Sequence, residues 1–332
     1  MRVRTRAILA LVVALAGGWG LASLGEAAPS PEPVMPVPAD NPMSPAKAEL
    51  GRRLFYDAGL SADGSMSCAS CHEQAKGFSD GLDRHVGVTG ERGLRNVPGL
   101  ANAGWRSPLT WADQSVLTLE QQAMVPMTGD HPVEMGLKGH EDALLARLRA
   151  DPCYAAMFAR AFPGQPVDMQ RVTQALASFE RTLVSASSPY DRFRAGQGSA
   201  LSAQAAKGAK LFAAAGCAAC HTGRDLTDNG YHYVGTTIDG SGPSYMTTNP
   251  NDLVGKLRTP ALRNVAVTGP WLHDGSAGSV EEAIRRHAAQ AIVGVDMGAL
   301  LAFMDAQTDR VFLENVAFKA PAGRCDMDQP KA

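Results

Sequence analysis

Two short stretches decide the fold of this chain: Cys68-Ala69-Ser70-Cys71-His72 and Cys217-Ala218-Ala219-Cys220-His221. Both have the form Cys-x-x-Cys-His. In this motif the two thiols form thioether bonds to the vinyl groups of one haem, and the adjacent His becomes the proximal ligand of the iron. A single match would also suit a redox-active dithiol. Two matches in one chain favour two covalently attached c-type haems.

The first residues have the layout of a secretory signal peptide. Three arginines among the first six residues precede an apolar segment over 7–24, and small residues flank a cleavage point at Ala27. That apolar segment is also about the length that an uncleaved membrane anchor needs. We expect cleavage, because a Pro-rich stretch over 29–45 resembles a mature N-terminus. The prediction is a periplasmic protein with a signal peptide over 1–27 and a flexible N-terminus over 28–43, which contacts the membrane only if the signal segment stays uncleaved.

The composition indicates a folded, mainly helical protein. The chain has 332 residues, of which 45% are hydrophobic, and its formal net charge is −2, so neither disorder nor nucleic-acid binding is expected. The stretches 141–150, 152–162 and 167–185 have the pattern of helices, and no long stretch alternates between apolar and polar residues. We therefore predict an all-α fold with long loops and no large sheet.

The two motifs lie in a diverged internal repeat. Upstream of each motif, a short amphipathic segment (47–55 and 205–212) carries a Gly three residues before a Leu-Phe pair. Such a Gly predicts a helix that crosses closely on another helix. A related loop containing Arg-Asn-Val follows each motif. The repeat predicts two cytochrome c-like haem domains, the first over 44–195 with a helical connector and the second over 196–332 with a tail.

Several further segments resemble the bacterial di-haem cytochrome c peroxidase and MauG family. They are Gly-Phe-Ser-Asp-Gly over 77–81, Leu-Thr-Trp-Ala-Asp over 109–113, Leu-Glu-Gln-Gln-Ala over 119–123, Pro-Val-Glu-Met-Gly over 132–136 and Gly-Pro-Trp-Leu-His-Asp-Gly over 269–275. The resemblance extends over about residues 44–310. Within the family, 109–136 and 174–193 look most similar to the branch that accompanies methanobactin and copper-binding partner proteins.

This resemblance implies an oxidoreductase that uses hydrogen peroxide to form a high-valent di-haem species. As in MauG, that species would oxidise a partner protein, for example at a Trp of a copper-binding partner. One alternative is a cytochrome c peroxidase, which reduces peroxide to water with electrons from a small cytochrome or a cupredoxin. A second alternative is a di-haem electron carrier without catalytic activity.

The resemblance makes the first haem the peroxide site, with His72 as its proximal ligand. Some family members carry a distal His in a following loop, and the matching position here is Val88, which cannot bind iron. His85 lies three residues earlier and is expected to face elsewhere. The resemblance therefore implies an open, five-coordinate first haem. The alternative is that the loop brings His85 to the iron.

The resemblance also assigns three residues to the chemistry. Glu134 would act as the acid/base that moves a proton between the two peroxide oxygens. A Gln would hydrogen-bond the bound oxygen species, and the alignment leaves Gln121 and Gln122 open, with Gln122 preferred. Trp111 matches the Trp that lies between the two haems and would relay electrons; the alternative is an ordinary core Trp.

For the second haem, the relay haem of the family, the proximal ligand would be His221. The position that supplies the sixth ligand in relatives matches His287. The alternatives are Met297, Met304 and His273. Ligation by two His residues gives a lower potential than His/Met ligation.

Two smaller sites concern a calcium ion and the remaining cysteines. Relatives hold a calcium ion between the domains, and Asn96 is the matching side chain, together with carbonyl groups near Arg258 and Pro260; a simple turn residue is the alternative. Cys153 and Cys325 remain outside the two motifs. They form either a disulfide or two buried thiols.

Overall fold

The computed structural model describes residues 34–232, 256–287 and 292–323. The predicted signal peptide and Cys325 lie outside these residues, as does the side chain of His287. Among the described residues no helix has both the length and the apolar character needed to cross a membrane.

Helices dominate the described residues, as the sequence predicts. The helices are α1 (Pro45–Phe55), α2 (Cys68–Cys71), α3 (Leu119–Thr128), α4 (Glu141–Ala150), α5 (Pro152–Ala161), α6 (Met169–Glu180), α7 (Pro189–Arg194), α8 (Ala203–Ala214), α9 (Val280–His287), α10 (Met297–Asp305) and α11 (Arg310–Glu314). Strands β1 (Tyr231–His232) and β2 (Leu257–Arg258) form one short antiparallel pair. Long loops and short 3₁₀ turns connect these elements. The all-α prediction is confirmed.

Two crossed helix pairs organise the fold. Helix α1 packs on α6, and a Cβ atom added to Gly51 would lie 1.9 Å from the carbonyl oxygen of Ala175. Helix α8 packs on α10, and a Cβ atom added to Gly208 would lie 1.9 Å from the carbonyl oxygen of Ala299. In both pairs only a glycine permits this approach. The internal repeat of the sequence is therefore an internal repeat of structure.

The four helices of these pairs begin at side chains that cap them. Each cap is a Ser or Asp whose oxygen accepts a hydrogen bond from the backbone N–H three residues later, which satisfies a donor that the first turn leaves free. The caps are Ser44 of α1, Asp168 of α6, Ser202 of α8 and Asp296 of α10. Local sequence thus fixes where each crossed helix starts.

Buried apolar side chains form a first core around α1, α5 and α6 and a second core around α8 and α10. The C-terminal segment packs on the first core. Phe312 and Phe318 lie against Phe78, with ring centroids 5.6 and 6.5 Å away. The Tyr56 hydroxyl donates a hydrogen bond to the carbonyl of Phe318 at 2.8 Å. The sequence-based division assigned this tail to the second domain. Apolar burial instead holds residues 310–318 on the first core, because three phenylalanine rings pack there.

A buried ion-pair network joins the connector to the second domain. The guanidinium of Arg263, whose side chain is 3% exposed, donates two hydrogen bonds to the carboxylate of Asp191 at 2.6 and 2.9 Å. Its Nε donates to Asp225 at 2.9 Å. Asn102 of the first domain donates to the same Asp225 oxygen at 2.7 Å. This network fixes the loops that carry Asn102, Asp225 and Arg263 relative to one another.

Candidate active site

Each Cys-x-x-Cys-His motif adjoins its own cavity. The first motif lines a cavity of about 360 Å³, and the second motif lines a cavity of about 450 Å³. Cavities of this size can enclose most of a cofactor-sized molecule. The structure therefore provides one cavity for each group that the motifs would bind covalently.

The two proximal histidines are held in the same way. His72 Nδ1 lies 2.7 Å from the carbonyl oxygen of Phe78, and His221 Nδ1 lies 3.0 Å from that of Leu226. Both carbonyls belong to residues in the left-handed region, with φ of 63° and 52°. This conformation is uncommon for residues other than glycine and often marks functional positions. With Nδ1 donating to a carbonyl, Nε2 is the nitrogen available to a metal.

The motif cysteines lack the character of a reactive dithiol. All four are free of disulfides. Burial raises the pKa of Cys68 to about 12, and burial also raises the pKa of Cys71. A redox-active dithiol needs a lowered pKa that stabilises the thiolate. The environment thus favours covalent haem attachment over dithiol chemistry.

Trp111 lies in the wall between the cavities. Six residues line both cavities: Asn96, Val97, Pro98, Gly99, Arg106 and Trp111. The indole Nε1 donates a hydrogen bond to the carbonyl of Asn96 at 2.8 Å, and the Trp111 carbonyl accepts one from the backbone N–H of Arg258 at 2.8 Å. The ring is therefore fixed in the shared wall.

Two arginines place positive charge beside this wall. Arg106 lines both cavities, and within the described parts of the chain its buried Nε has no hydrogen-bond partner. Arg258 lines the second cavity and is 2% exposed; burial, with the charge of Arg106, lowers its pKa to about 10. Asp225 is the carboxylate that acts on Arg106, and Arg263 and Asn102 already engage it.

These cations make the cavities suitable for haem. A buried cation is costly unless an anion is near. Haem carries two propionate carboxylates, and Arg106 and Arg258 are buried cations that could pair with them. The covalent motifs, the oriented histidines and the cations therefore fit the same group.

Glu134 and Gln122 both line the first cavity, together with His72. Burial raises the pKa of Glu134, and the nearby His85 partly opposes this shift. Gln121 does not join them, because its Oε1 accepts hydrogen bonds from the backbone N–H groups of Leu117 and Thr118 at 2.9 and 3.1 Å. Between the two glutamines that the sequence left open, Gln122 is the one at the cavity.

The loop after the first motif differs from the expectation. His85 lines the first cavity instead of facing elsewhere, and its Nδ1 lies 3.1 Å from a carboxylate oxygen of Asp80. The Val88 side chain lies beside Gly136, and the backbone N–H of Val88 donates to the carbonyl of Glu134 at 2.8 Å. The buried carboxylate of Asp80 orients the His85 ring. Sequence spacing alone could not reveal this partner.

The second cavity includes two of the three alternative sixth ligands. His273 and Met304, each 4% exposed, line it, whereas Met297 packs against the second core. Three residues of α9 also line this cavity, at positions 280, 283 and 284. Position 287 follows on the same helix, but its side chain lies outside the described residues. The structure therefore leaves the role of His287 a prediction.

Asn96 is buried, and its amide nitrogen is already hydrogen-bonded, whereas a calcium ion would take the amide oxygen. Its Nδ2 donates to the carbonyl oxygens of Leu82 and Asp83 at 2.9 and 3.4 Å. Pro260 and Arg258 lie nearby in the lining of the second cavity. The predicted calcium site remains a prediction.

Several residues at or next to the cavities carry no signal of this placement in the sequence pattern. They are Arg106, Glu180 and His232, which line the cavities, and Asp80, which contacts His85 behind the first cavity's lining. Arg106 lies close to the repeated loop, but nothing in the sequence marks its burial. His232 Nε2 lies 2.7 Å from Asp228, and both approach Cys220, a combination with metal-binding geometry. Because Cys220 belongs to a haem motif, this cluster belongs to the second haem cavity.

Comparison with known proteins agrees with this description. The family described as di-haem cytochrome c peroxidase matches residues 45–199, and the cytochrome c family matches residues 205–311. The methylamine utilization protein MauG of Methylorubrum extorquens is 40% identical over 255 residues, which cover 76% of this chain and 70% of the relative. The cytochrome c551 peroxidase of Pseudomonas aeruginosa is 32% identical, with 88% of this chain and 84% of the relative covered.

A solved structure of a related protein also has a similar fold. A MauG-like protein associated with microbial copper homeostasis superposes with a TM-score of 0.79 at 36% identity, covering 88% of this chain and 98% of that one. The chain belongs to the di-haem cytochrome c peroxidase and MauG family. It is a haem oxidoreductase with two cytochrome c domains. These predictions of the sequence are confirmed.

Proposed function

We propose that this protein is a periplasmic MauG-like enzyme that reduces hydrogen peroxide with electrons taken from an aromatic side chain of a partner protein. The observation that carries the proposal is the arrangement of the first cavity, where Glu134 and Gln122 share a wall that leads to Trp111 and the second cavity. Similarity to MauG proteins and to the MauG-like protein of copper homeostasis supports this branch.

The residues of the first cavity would handle the protons. Haem, when bound, supplies the redox-active iron, held by Cys68, Cys71 and His72. Glu134 would take the proton from the inner oxygen of peroxide and deliver it to the outer oxygen, which then leaves as water. Gln122 would hold the peroxide in place with its amide.

Trp111 would carry electrons between the two cavities. An indole is oxidisable, and the hydrogen bond to Asn96 fixes its ring in the shared wall. The second haem would be held by Cys217, Cys220 and His221, with His287 as the sixth ligand. Two His ligands favour the more oxidised iron, since they give a lower potential than His and Met.

Three further assignments belong to the proposal. A calcium ion would bind at Asn96 and nearby carbonyl groups. Cleavage after the signal segment would release the enzyme into the periplasm. Cys153, which is disulfide-bonded in the structure, would pair with Cys325, which lies outside the described residues.

The alternative is a cytochrome c peroxidase that takes electrons from a small cytochrome or a cupredoxin. The position of His85 favours it, because a His at the first cavity resembles the distal ligand that some relatives carry. Relatives named as peroxidases, such as the cytochrome c peroxidase of Escherichia coli at 33% identity, also support it.

Electron paramagnetic resonance separates these functions. The ferric holoprotein is measured before and after one equivalent of peroxide, and then with a reduced small cytochrome as donor. The MauG-like proposal expects one high-spin and one low-spin signal, both lost with peroxide, and slow oxidation of the donor. Rapid, sustained oxidation of the donor would establish the peroxidase. Two low-spin signals that peroxide does not change would contradict the open first site.

A further inference from the structure

A second carboxyl group, besides Glu134, lies in the wall of the first cavity. Glu180 is the last residue of α6, and it is 6% exposed. Its buried Oε2 has no hydrogen-bond partner among the described residues. The peroxide chemistry proposed above does not use it. A buried polar atom without a partner is costly, so its presence needs an explanation.

The charges around Glu180 do not neutralise it. Two charged groups act on Glu180: Arg181, the next residue at the end of α6, and Glu120 on α3. The Arg181 guanidinium donates to both Glu120 oxygens at 2.7 and 2.9 Å, so that cation is already paired. On α1, the Lys47 ammonium donates to Asn41 and Pro42 and acts on Glu120. Glu180 is therefore left without an ion-pair partner of its own.

Glu180 and Glu134 act on different parts of the cavity. On α2, the charge of Glu180 raises the pKa of Cys68, whereas among the carboxyl groups Glu134 has the largest influence on the pKa of Cys71. Once haem is attached, both sulfurs are thioethers and no longer titrate. Glu180 lines the cavity in which the first haem would lie, so the haem would be a neighbour whose charge changes on oxidation.

We propose that Glu180 is a redox-linked proton site of the first haem. It holds a proton on its carboxyl group while the iron is ferrous. On loss of one electron from the bound haem to an oxidant, Glu180 would break its O–H bond and release the proton to solvent. The carboxylate then offsets the added positive charge. Glu180 acts through electrostatics on the haem and is a positioning residue rather than a catalytic one.

The position of Glu180 in the cavity wall and its raised pKa both support this role. Burial, the largest influence, raises the pKa of Glu180 to about 8, while Arg181 opposes the shift and Glu120 adds to it. A ferric iron nearby lowers the pKa of a carboxyl group, because it stabilises the anion. Linkage is reciprocal, so ionisation of Glu180 must in turn lower the reduction potential of the iron.

The test is a spectroelectrochemical titration of the holoprotein at a series of pH values on both sides of neutrality. We expect the potential of the first haem to fall as pH rises through the pKa of Glu180 and to level off above it. In Glu180→Gln this fall should disappear, with the potential staying at its low-pH value. Glu49→Gln, which removes an exposed carboxyl group from α1, should keep the wild-type curve. An unchanged curve in Glu180→Gln would overturn the proposal.

A second measurement needs no variant and applies even if Glu180→Gln fails to bind haem. Infrared difference spectra of the wild type, recorded between the ferrous and ferric states near neutral pH, should lose the carbonyl band of a protonated carboxylic acid on oxidation. A spectrum without that loss would refute the proposal. Neither measurement requires peroxide turnover, so the outcome is independent of which partner the enzyme oxidises.

Discussion

Trp111 donates its indole hydrogen bond to the backbone carbonyl of Asn96 at 2.8 Å, and both residues line the two cavities at once. The ring therefore has one orientation in the wall that separates the two motifs. The contact also explains why a Trp suits this position better than a Phe, which has no N–H group to donate.

We predict that Trp111→Phe uncouples the two haems. The first haem should still react with peroxide, whereas the spectral change at the second haem should become much slower, because the oxidisable indole is gone. Rapid-mixing absorbance measurements at both haems test this. The control is Trp271→Phe, since Trp271 lines only the second cavity. Equal rates in wild type and Trp111→Phe would exclude Trp111 as the relay.

We predict that Glu134→Gln slows the reaction with peroxide by roughly 10²–10⁴-fold, the usual contribution of an acid/base group. Burial raises the pKa of Glu134, so the wild-type rate should rise with pH as the carboxyl group loses its proton and becomes able to accept one. In the variant this rise should be absent. Glu73→Gln removes an exposed carboxyl group near the motif and serves as control. A Glu134→Gln rate equal to that of Glu73→Gln would contradict the assignment.

Adjacent glutamines should give opposite phenotypes. Gln122→Leu should impair the peroxide reaction with little effect on stability, because Gln122 lines the cavity. Gln121→Ala should leave that reaction unchanged and lower the free energy of unfolding by about 1 kcal/mol, since it removes the capping box of α3. Peroxide kinetics and denaturant titrations of both variants test the pair. The reverse pattern would show that the residues are misassigned.

The crossed helices should not tolerate a methyl group at their contacts. Gly51→Ala and Gly208→Ala should each destabilise the protein by about 1–3 kcal/mol, because the new Cβ would overlap a backbone carbonyl. Gly198→Ala should change stability by less than about 0.5 kcal/mol, as no atom lies within 4 Å of its added Cβ. Denaturant unfolding of the three variants measures this. Similar stability in all three would argue against the close crossings.

The second haem should lose its low-spin His/His signature in His287→Met, and its potential should rise, because Met favours the reduced iron. Met304→Leu should leave the low-spin signal and the potential unchanged, because Met304 packs in the second core. Spectroscopy of the ferric proteins and redox titration provide the measurement. If Met304→Leu alone removes the low-spin signal, the sixth ligand is Met304.

Much of the fold could be predicted from local signals. The two Cys-x-x-Cys-His motifs predict two haem domains. Gly51 and Gly208, each three residues before a Leu-Phe pair, predict the close helix contacts. The capping residues Ser44 and Ser202 mark where α1 and α8 begin. These signals work because they depend on neighbours within one helical turn.

Other features depend on residues far apart in the chain. The expected orientation of His85 was wrong because the buried carboxylate of Asp80 holds its ring. The tail at Phe312 and Phe318 packs on the first core, although it follows the second motif in sequence. In both cases a hydrogen bond or a ring contact decides the arrangement, and the local sequence pattern does not reveal it.

The sequence by itself determined the haem motifs and the helical class, because covalent attachment and short-range structure depend on residue type and spacing. Its resemblance to the di-haem peroxidase and MauG family also gave Glu134 and Trp111 as candidate residues. Only the tertiary structure decided that Gln122 rather than Gln121 meets the cavity. It also decided that the buried Arg258 lies close enough to Arg106 for their charges to interact, and that Glu180 is buried without a hydrogen-bond partner for its Oε2 among the described residues. Burial and charge proximity arise from the packing of distant segments, and they shift the pKa values of Glu180 and Arg258.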